Sequence, residues 1–218
     1  GKKKDKLHLL KGLKRILLDI DKAIKIIRET EEESEVIPNL MIGFGIDQVQ
    51  AEYVAEIKLR NINKEYILKR TQEVDALEAE ILLTQQAAAG EGYGALAGEL
   101  EEVLGFVRRY IRFDVLDEPV GAIELCGYTP EQLREYSHYP EKHFGQPHFL
   151  ACYTDGPALL AVNKLRTVVR QTELAAYAAF RDADGNVTRG DMILGLNRLS
   201  SLMWIFMIKL KAGRYERK

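Results

Sequence analysis

Two arginines and a glutamate recur along one predicted helix in the second half of the sequence. Arg166, Arg170 and Glu173 stand at positions i, i+4 and i+7, which places them on one helical face. Guanidinium groups bind phosphate oxygens, so this row could hold an anionic ligand. The same spacing also produces an ordinary ion-pair row on a solvent-exposed helix. Taken alone, the three residues favour the ion-pair row and leave the anion site as the alternative.

Three histidines follow one another at five-residue intervals, at His138, His143 and His148. Imidazole is a common metal ligand, so the three side chains could form a metal site. The spacing does not match ligand pairs on a helix, and no cysteine pair lies nearby. We therefore expect structural or loop roles for the histidines, and we predict no metal-binding residue in the chain.

The sulfur-containing residues indicate packing rather than chemistry. Cys126 and Cys152 form neither a disulfide framework nor a paired metal motif, so we expect two buried thiols. Met192, Met203 and Met207 share a helical apolar stripe and are predicted to lie in the core. No catalytic nucleophile is predicted among these residues.

The elements that must position these side chains have the helical period nearly throughout. One apolar stripe begins near the N-terminus and predicts a single long helix, with members Leu10, Leu13, Leu17, Ile20, Ile24 and Ile27. Pro38, Gly43 and Gly45 predict a turn region after it. Asp47 then resembles a helix N-cap, with Gln50 in the position that closes a capping box. This part of the chain is predicted to be a small helical unit.

The next predicted helix is unusually long. Residues 64–89 contain no glycine or proline, which corresponds to a helix of roughly 39 Å. A domain boundary normally carries a polar linker rich in proline or glycine. The character of the sequence instead changes inside this uninterrupted helix.

The remaining helices form a predicted bundle. One stripe contains Leu96, Leu100, Val103, Val107 and Ile111. Thr129, Pro130 and Gln132 predict a capped helix start, and irregular segments are expected at 118–127 and 140–147. A long helix is predicted over 157–180, followed by a polar turn at 182–186. The last helix carries Met192, Leu196, Leu199, Met203, Phe206 and Leu210. No segment alternates as a strand does, so we predict an all-α fold.

Composition excludes several classes of function. Residues 1–80 carry 15 Lys and Arg against 16 Asp and Glu, and residues 81–218 carry 16 against 17. Neither part has the basic excess of a nucleic-acid-binding domain, so no nucleic-acid partner is expected. No uninterrupted apolar run approaches the roughly 20 residues of a membrane span, so no membrane partner is expected. The two cysteines suit an intracellular protein, and we expect a cytoplasmic location.

Residues 7–73 resemble the GyrA-type chain of DNA gyrase and bacterial topoisomerase IV. The resemblance is carried by the stretches 9–13, 19–24, 44–46 and 50–52. In that family the corresponding segment is part of a long antiparallel coiled coil whose tip dimerises as the exit gate for DNA. The resemblance therefore implies a dimerisation domain. The cleavage domain and its nucleophilic tyrosine are absent from this stretch, and neither Tyr53 nor Tyr66 lies in a matching context.

Residues 74–218 resemble the ATP:cob(I)alamin adenosyltransferases of the ethanolamine-utilisation branch. Three stretches carry this resemblance, at 139–149, 165–173 and 196–200. The family is a helical bundle that trimerises, with ATP and corrinoid bound at subunit interfaces. The resemblance thus implies a trimerising bundle and makes ATP and cobalamin the expected ligands of the parent family.

The resemblance also assigns roles to five residues. Arg170 and Asn197 match positions that contact ATP, and Glu173 belongs to the same arginine-rich motif. Arg166 matches an arginine that pairs with an acid across the subunit interface, for which Asp75 is the candidate. The family's N-terminal region is missing, including its glycine-containing ATP loop and the Cys-rich metal motif of this branch. The implied activity, adenosyl transfer from ATP to a reduced corrinoid, is therefore expected to be crippled.

The two resemblances meet in residues 74–81, inside the long predicted helix of residues 64–89. This arrangement predicts an engineered fusion in which residues 1–6 are a tag or a cut start. Residues 7–73 are then expected to make dimer contacts and residues 74–218 trimer contacts, so that the chain's partner is itself. A two-fold and a three-fold domain joined by a stiff helix would assemble into a closed cage, and such a protein requires no cofactor.

Overall fold

The computed structural model of the chain describes residues 1–57, 64–115 and 118–218. The chain divides into two compact units. The first comprises Gly1–Thr71 with Asp114–Glu118, and the second comprises Gln72–Phe113 with Pro119–Lys218. The described residues contain helices and two isolated bridges, Leu125 with Tyr128 and Arg181 with Val187, but no strand. The predicted all-α fold is confirmed.

The first unit contains four α-helices, which are α1 (Lys2–Leu18), α2 (Ile20–Glu29), α3 (Val36–Phe44) and α4 (Gln48–Ile57), with a 3₁₀ turn at Glu33–Glu35. α1 packs against α4, and α3 packs against both α2 and α4. The core of this unit is made by Ile16, Ala23, Ile27, Leu40, Ile46, Ala51, Val54 and Ala55. These small and branched side chains allow the short helices to approach closely.

The predicted single N-terminal helix is wrong, because Asp19 divides it into α1 and α2. Asp19 has φ −145° and ψ 67°, which is not helical, and its carboxylate accepts a hydrogen bond from the backbone N–H of Lys22 at 3.1 Å. Aspartate competes with the helical backbone in this way and so favours a helix start. The apolar period continues across one residue of interruption, which concealed the break.

The turn region predicted around Pro38 and Gly43 is also wrong, because both residues lie within α3. Pro38 is in the first turn, where the missing N–H has no helical partner to lose. The turn is confined to Gly45, whose φ of 60° is left-handed and ends the helix. The next helix begins as predicted: Asp47 Oδ1 accepts from the N–H of Gln50 at 2.8 Å, and Gln50 Oε1 accepts from the N–H of Asp47 at 3.1 Å.

The second unit is a helical bundle. Its helices are α5 (Lys64–Gly90), α6 (Gly94–Arg108), α7 (Tyr110–Val115), α8 (Pro130–His138), α9 (Pro140–Phe144), α10 (Pro157–Ala179) and α11 (Gly190–Lys211). α5 is the predicted long helix, and it runs from the first unit into the second. The apolar stripe after Gly94 is divided between α6 and α7. The irregular segment predicted at 140–147 contains α9, which begins with proline at its first position.

α11 forms the centre of this bundle. It packs against α10, α8 and α9, and its buried residues include Met192, Met203 and Met207, as predicted. Among the described residues, α11 is also the helix that is long and apolar enough to cross a membrane. The expectation that no such segment exists therefore needs correction. Its apolar residues pack into the bundle core, which accounts for its composition without a membrane.

Candidate functional site

The candidate site lies where α10 and α11 pack side by side. α10 begins at Pro157 after Gly156, whose φ of 93° is accessible to glycine, and α11 begins at Gly190 after a hydrogen-bonded polar turn. Leu165 and Val169 of α10 and Leu196 and Leu199 of α11 are buried in the common core. The polar residues between these anchors are thereby held at the edge of the helix–helix contact.

Glu173 is the buried centre of the site. It is only 8% exposed, and its two carboxylate oxygens have different partners. Oε2 accepts a hydrogen bond from Arg170 Nη1 at 3.1 Å, and Oε1 accepts one from Asn197 Nδ2 at 3.1 Å. A buried carboxylate is tolerated when it is paired and hydrogen-bonded in this manner. Glu173 therefore orients one arginine and one amide toward each other.

Arg198 extends this arrangement along α11. Its Nη1 donates a hydrogen bond to Asn197 Oδ1 at 2.8 Å. We call Arg170, Glu173, Asn197 and Arg198 the polar cluster. It contains two guanidinium groups and one carboxylate, so its net charge is positive. The Arg198 Nε atom is buried and has no hydrogen-bond acceptor within the described residues.

The polar cluster has the chemistry of an anion-binding group. The Arg170 side chain is 58% exposed, so its guanidinium can reach a ligand in solvent. A planar guanidinium offers several N–H donors in the geometry that phosphate oxygens accept. Asn197 is held by Glu173 on one side and Arg198 on the other, which fixes its amide orientation. The three predicted ATP-binding residues are thus brought together in one place.

Arg166, in contrast, lies outside the polar cluster. Its guanidinium carbon is 4.9 Å from the centroid of the Trp204 ring, in a cation–π contact. The ion-pair row expected from the sequence is therefore formed by Arg170 and Glu173 alone. Asp75 is an exposed residue of α5. The pair predicted between Asp75 and Arg166 would join two subunits, and it stays a prediction.

The three histidines take separate roles. His138 Nδ1 lies 2.7 Å from the carbonyl of Arg134, and His143 Nε2 lies 3.3 Å from Glu135 Oε1. The contact with His143 lowers the pKa of Glu135. The ring of His148 stacks on Trp204 at 5.6 Å. An open cavity of about 620 Å³ is lined by His138, Tyr139, Pro140, Glu141, Lys142, Pro147 and His148. Across the described ranges, no group of three His, Cys, Asp or Glu side chains could hold a metal ion.

The prediction of two buried thiols is wrong for Cys152. Cys126 is partly buried, and burial raises the pKa of its thiol. Cys152 is exposed because it precedes the 3₁₀ turn Tyr153–Asp155, where its backbone N–H donates to Asp155 Oδ2 at 2.7 Å. A hydrogen bond from the Thr154 hydroxyl lowers the pKa of the Cys152 thiol.

Two residues of this site were not predicted from the sequence. Arg198 lay inside a recognised motif, and Trp204 was not singled out. Both could have been found from helix register: Trp204 follows Asn197 by seven residues on α11, and Arg166 precedes Glu173 by seven residues on α10. Because seven residues make two turns, each pair lies on one face of its helix. Antiparallel packing then places Arg166 opposite Trp204 wherever Glu173 is opposite Asn197.

Comparison with known families gives two overlapping matches. Residues 1–93 match the family of the DNA gyrase/topoisomerase IV A-type chain, and residues 63–210 match the cobalamin adenosyltransferase family. The overlap of these matches contains all of α5. The predicted meeting of two families within one helix is confirmed.

Individual relatives divide in the same way. The chain is 32% identical over 135 residues to the corrinoid adenosyltransferase EutT of Salmonella typhimurium, covering 61% of this chain and 49% of that protein. It is 33% identical to EutT of Escherichia coli, covering 50% of this chain and 41% of that protein. It is 44% identical over 75 residues to the A-type chain of DNA topoisomerase 4 of Salmonella typhimurium, covering 34% and 10%.

The chain thus spans about half or less of the length of these adenosyltransferases and a tenth of the topoisomerase chain. No solved structure matches the chain. The polar cluster, α10 and nearly all of α11 lie inside the second family match. The chain belongs to the cobalamin adenosyltransferase family, and it carries at its N-terminus a fused segment of the DNA gyrase/topoisomerase IV A-type family.

Proposed function

We propose that this chain is a designed self-assembling subunit that combines a two-fold and a three-fold oligomerisation domain into a closed cage. The observation that carries the proposal is the continuity of α5. This helix extends from Lys64 to Gly90 without interruption, while the identity of the sequence changes from one family to the other within it. A natural junction between two domains more often has a polar, flexible linker.

A helical junction suits assembly because it transmits orientation. A Gly/Ser linker behaves as a flexible coil, whereas a helix is a semi-rigid spacer. Residues 76–80 of α5 are all good helix formers. A two-fold and a three-fold axis that meet at a fixed angle generate a closed shell of about 12 or about 24 chains in the simplest cubic symmetries. We propose dimer contacts through residues 7–73 and trimer contacts through residues 74–218.

Insertion of Gly-Gly-Ser after Glu78 tests the role of the helix. We expect the insertion to convert a single assembly into a mixture of sizes in native mass spectrometry. The control is the same insertion after Asp184, in the exposed turn between α10 and α11. The control should leave the mass distribution unchanged. A uniform particle of unchanged mass after the insertion at Glu78 would show that α5 does not determine the assembly.

Nucleotide binding, leading to adenosyl transfer to a reduced corrinoid, is the second candidate function. It is favoured by the polar cluster, in which an exposed Arg170 guanidinium and the Asn197 amide converge on Glu173. Adenosyl transfer from ATP leaves triphosphate, and an arginine would stabilise the negative charge of that leaving group. The buried Nε of Arg198 is a further donor, and no acceptor for it lies in the part of the chain that the structure describes.

Isothermal titration with ATP separates these two candidates. The polar cluster is one patch of donors, and the family's N-terminal ATP loop is not part of the sequence. We therefore expect weak binding, detectable at millimolar ATP. An absence of heat at millimolar ATP would leave the assembly role alone. Tight binding would restore the enzyme as the leading function.

We propose neither a nucleic-acid partner nor a membrane partner. Charge is balanced in both parts of the chain, and the apolar residues of α11 pack in the bundle core. DNA cleavage requires a nucleophile beside a bound phosphate. We expect supercoiled plasmid to remain supercoiled in the presence of the purified chain. Relaxed plasmid in a preparation free of other topoisomerases would contradict this proposal.

A further inference from the structure

Trp204 lies between two groups of planar side chains in the second unit. The guanidinium carbon of Arg166 is 4.9 Å from the Trp204 ring centroid. The rings of His148 and Phe149 stack on Trp204 at 5.6 and 5.3 Å, with interplanar angles of 11° and 23°. Trp204 therefore connects α10 with the segment that precedes α10.

The segment before α10 is fastened to α11 at a second point. Lys211 lies 5.4 Å from the Phe149 ring centroid and contacts Asp155 Oδ1 at 2.5 Å. Lys211 follows Trp204 by seven residues, so both project from the same face of α11. These two points hold the segment of residues 148–155 against α11.

The contact of Arg166 with Trp204 is related to the polar cluster by helix geometry. Arg166 is one turn before Arg170 on α10, and Trp204 is two turns beyond Asn197 on α11. The two helices thus touch through polar or cation–π contacts at two levels, Glu173 with Asn197 and Arg166 with Trp204. Rotation of α10 about its axis would disturb both levels together. The outer contact therefore restrains the direction in which Arg170 projects.

We propose that Trp204 is a positioning residue for anion binding by the polar cluster. It holds Arg166 in cation–π contact and so fixes the rotational setting of α10 that presents Arg170. This inference rests on the nucleotide-binding candidate above. It identifies a residue whose ring need not touch the ligand and whose loss weakens binding through α10.

Substitutions at both ends of the contact test the inference. Trp204→Leu and Arg166→Met each remove the cation–π contact, and we expect ATP affinity to fall about threefold to thirtyfold. Trp204→Phe retains an aromatic face and should restore most of the affinity. The double variant should lose no more than either single variant, because both changes remove one interaction. Phe149→Leu is the matched control, since it removes a ring from Trp204 without removing the contact with Arg166.

Trp204 is the single tryptophan of the chain, so its fluorescence reports this contact directly. We expect Arg166→Met to shift the emission maximum of Trp204 without ATP. Circular dichroism identifies any variant that fails to fold, and Arg166→Met and Trp204→Phe then carry the test. Absence of ATP binding by the unmodified chain overturns the nucleotide site and the positioning role with it. Binding by the unmodified chain with equal affinity in folded Trp204→Leu or Arg166→Met overturns the positioning role alone.

Discussion

The carboxylate of Glu173, buried on α10, accepts a hydrogen bond from the side-chain amide of Asn197 on α11 at 3.1 Å. The other carboxylate oxygen is bonded to Arg170. This one side chain therefore links the packing of two core helices to the orientation of an exposed cation. Its removal should affect both the stability of the bundle and the binding of anions.

We expect Glu173→Gln to lower the free energy of unfolding by about 1–3 kcal/mol. The glutamine can accept one of the two hydrogen bonds, but its NH₂ group then faces donors of Arg170 or Asn197. Urea unfolding followed by circular dichroism measures the change. Glu124→Gln, in an exposed loop, is the control and should change stability little. Equal stability of the two variants would show that the Glu173 contacts are not structural.

Arg170→Ala should weaken ATP binding about tenfold. The substitution removes the exposed guanidinium of the polar cluster, and charge-assisted hydrogen bonds to phosphate are among the stronger polar contacts. Titration calorimetry at one ionic strength gives the affinity. Arg134→Ala removes an exposed arginine from α8 and should leave binding unchanged. A similar loss in both variants would mean that ATP responds to overall charge rather than to this cluster.

The start of α11 should make stability depend on acid pH. Asp191 accepts hydrogen bonds from Arg189 Nε at 3.0 Å and from the N–H of Val120 at 3.1 Å. The Arg189 contact is the main reason why the pKa of Asp191 falls to about 2. A carboxylate whose pKa is lower in the folded state stabilises the fold above its unfolded pKa of about 3.9. This stabilisation is lost as the pH falls from about 4 to about 2.

Asp191→Asn should therefore be less stable than the unmodified chain at pH 7, and the difference should shrink below pH 4. Thermal unfolding at pH 7 and at pH 3 gives both values. The opposite pattern, a difference that grows in acid, would mean that the carboxylate is not the group that matters.

The capping box that begins α8 should contribute measurably to stability. The Thr129 hydroxyl accepts from the N–H of Gln132 at 3.2 Å, and Gln132 Oε1 accepts from the N–H of Thr129 at 2.9 Å. We expect Thr129→Ala to cost about 0.5–2 kcal/mol in urea unfolding. Thr129→Ser retains the hydroxyl and should recover most of the loss. A serine variant as unstable as the alanine variant would attribute the loss to the methyl group instead.

The features predicted correctly from the sequence are those decided by local chemistry. The capping boxes at Asp47 and Thr129 satisfy backbone N–H groups within three residues, so they form wherever the helix forms. The long helix α5 was predicted because nothing in residues 64–89 interrupts a helix. The break at Asp19 was missed because one residue does not disturb an apolar period that continues on both sides.

The contacts of the site depend on which residues of α10 lie opposite which residues of α11. Glu173 and Asn197 were associated with each other through a family resemblance, since their sequence separation of 24 residues carries no local signal. The contact of Arg166 with Trp204 follows from the same antiparallel register, but it needs one known pair as a starting point. Exposure of Cys152 was not predicted because it is decided by the path of a loop.

Native mass spectrometry of the unmodified chain tests the central proposal most directly. One chain has a mass of 24.8 kDa. A closed cage of about 12 or about 24 chains predicts a single species of about 300 or about 600 kDa. A species of only two or three chains, at about 50 or about 75 kDa, would contradict the assembly that we propose.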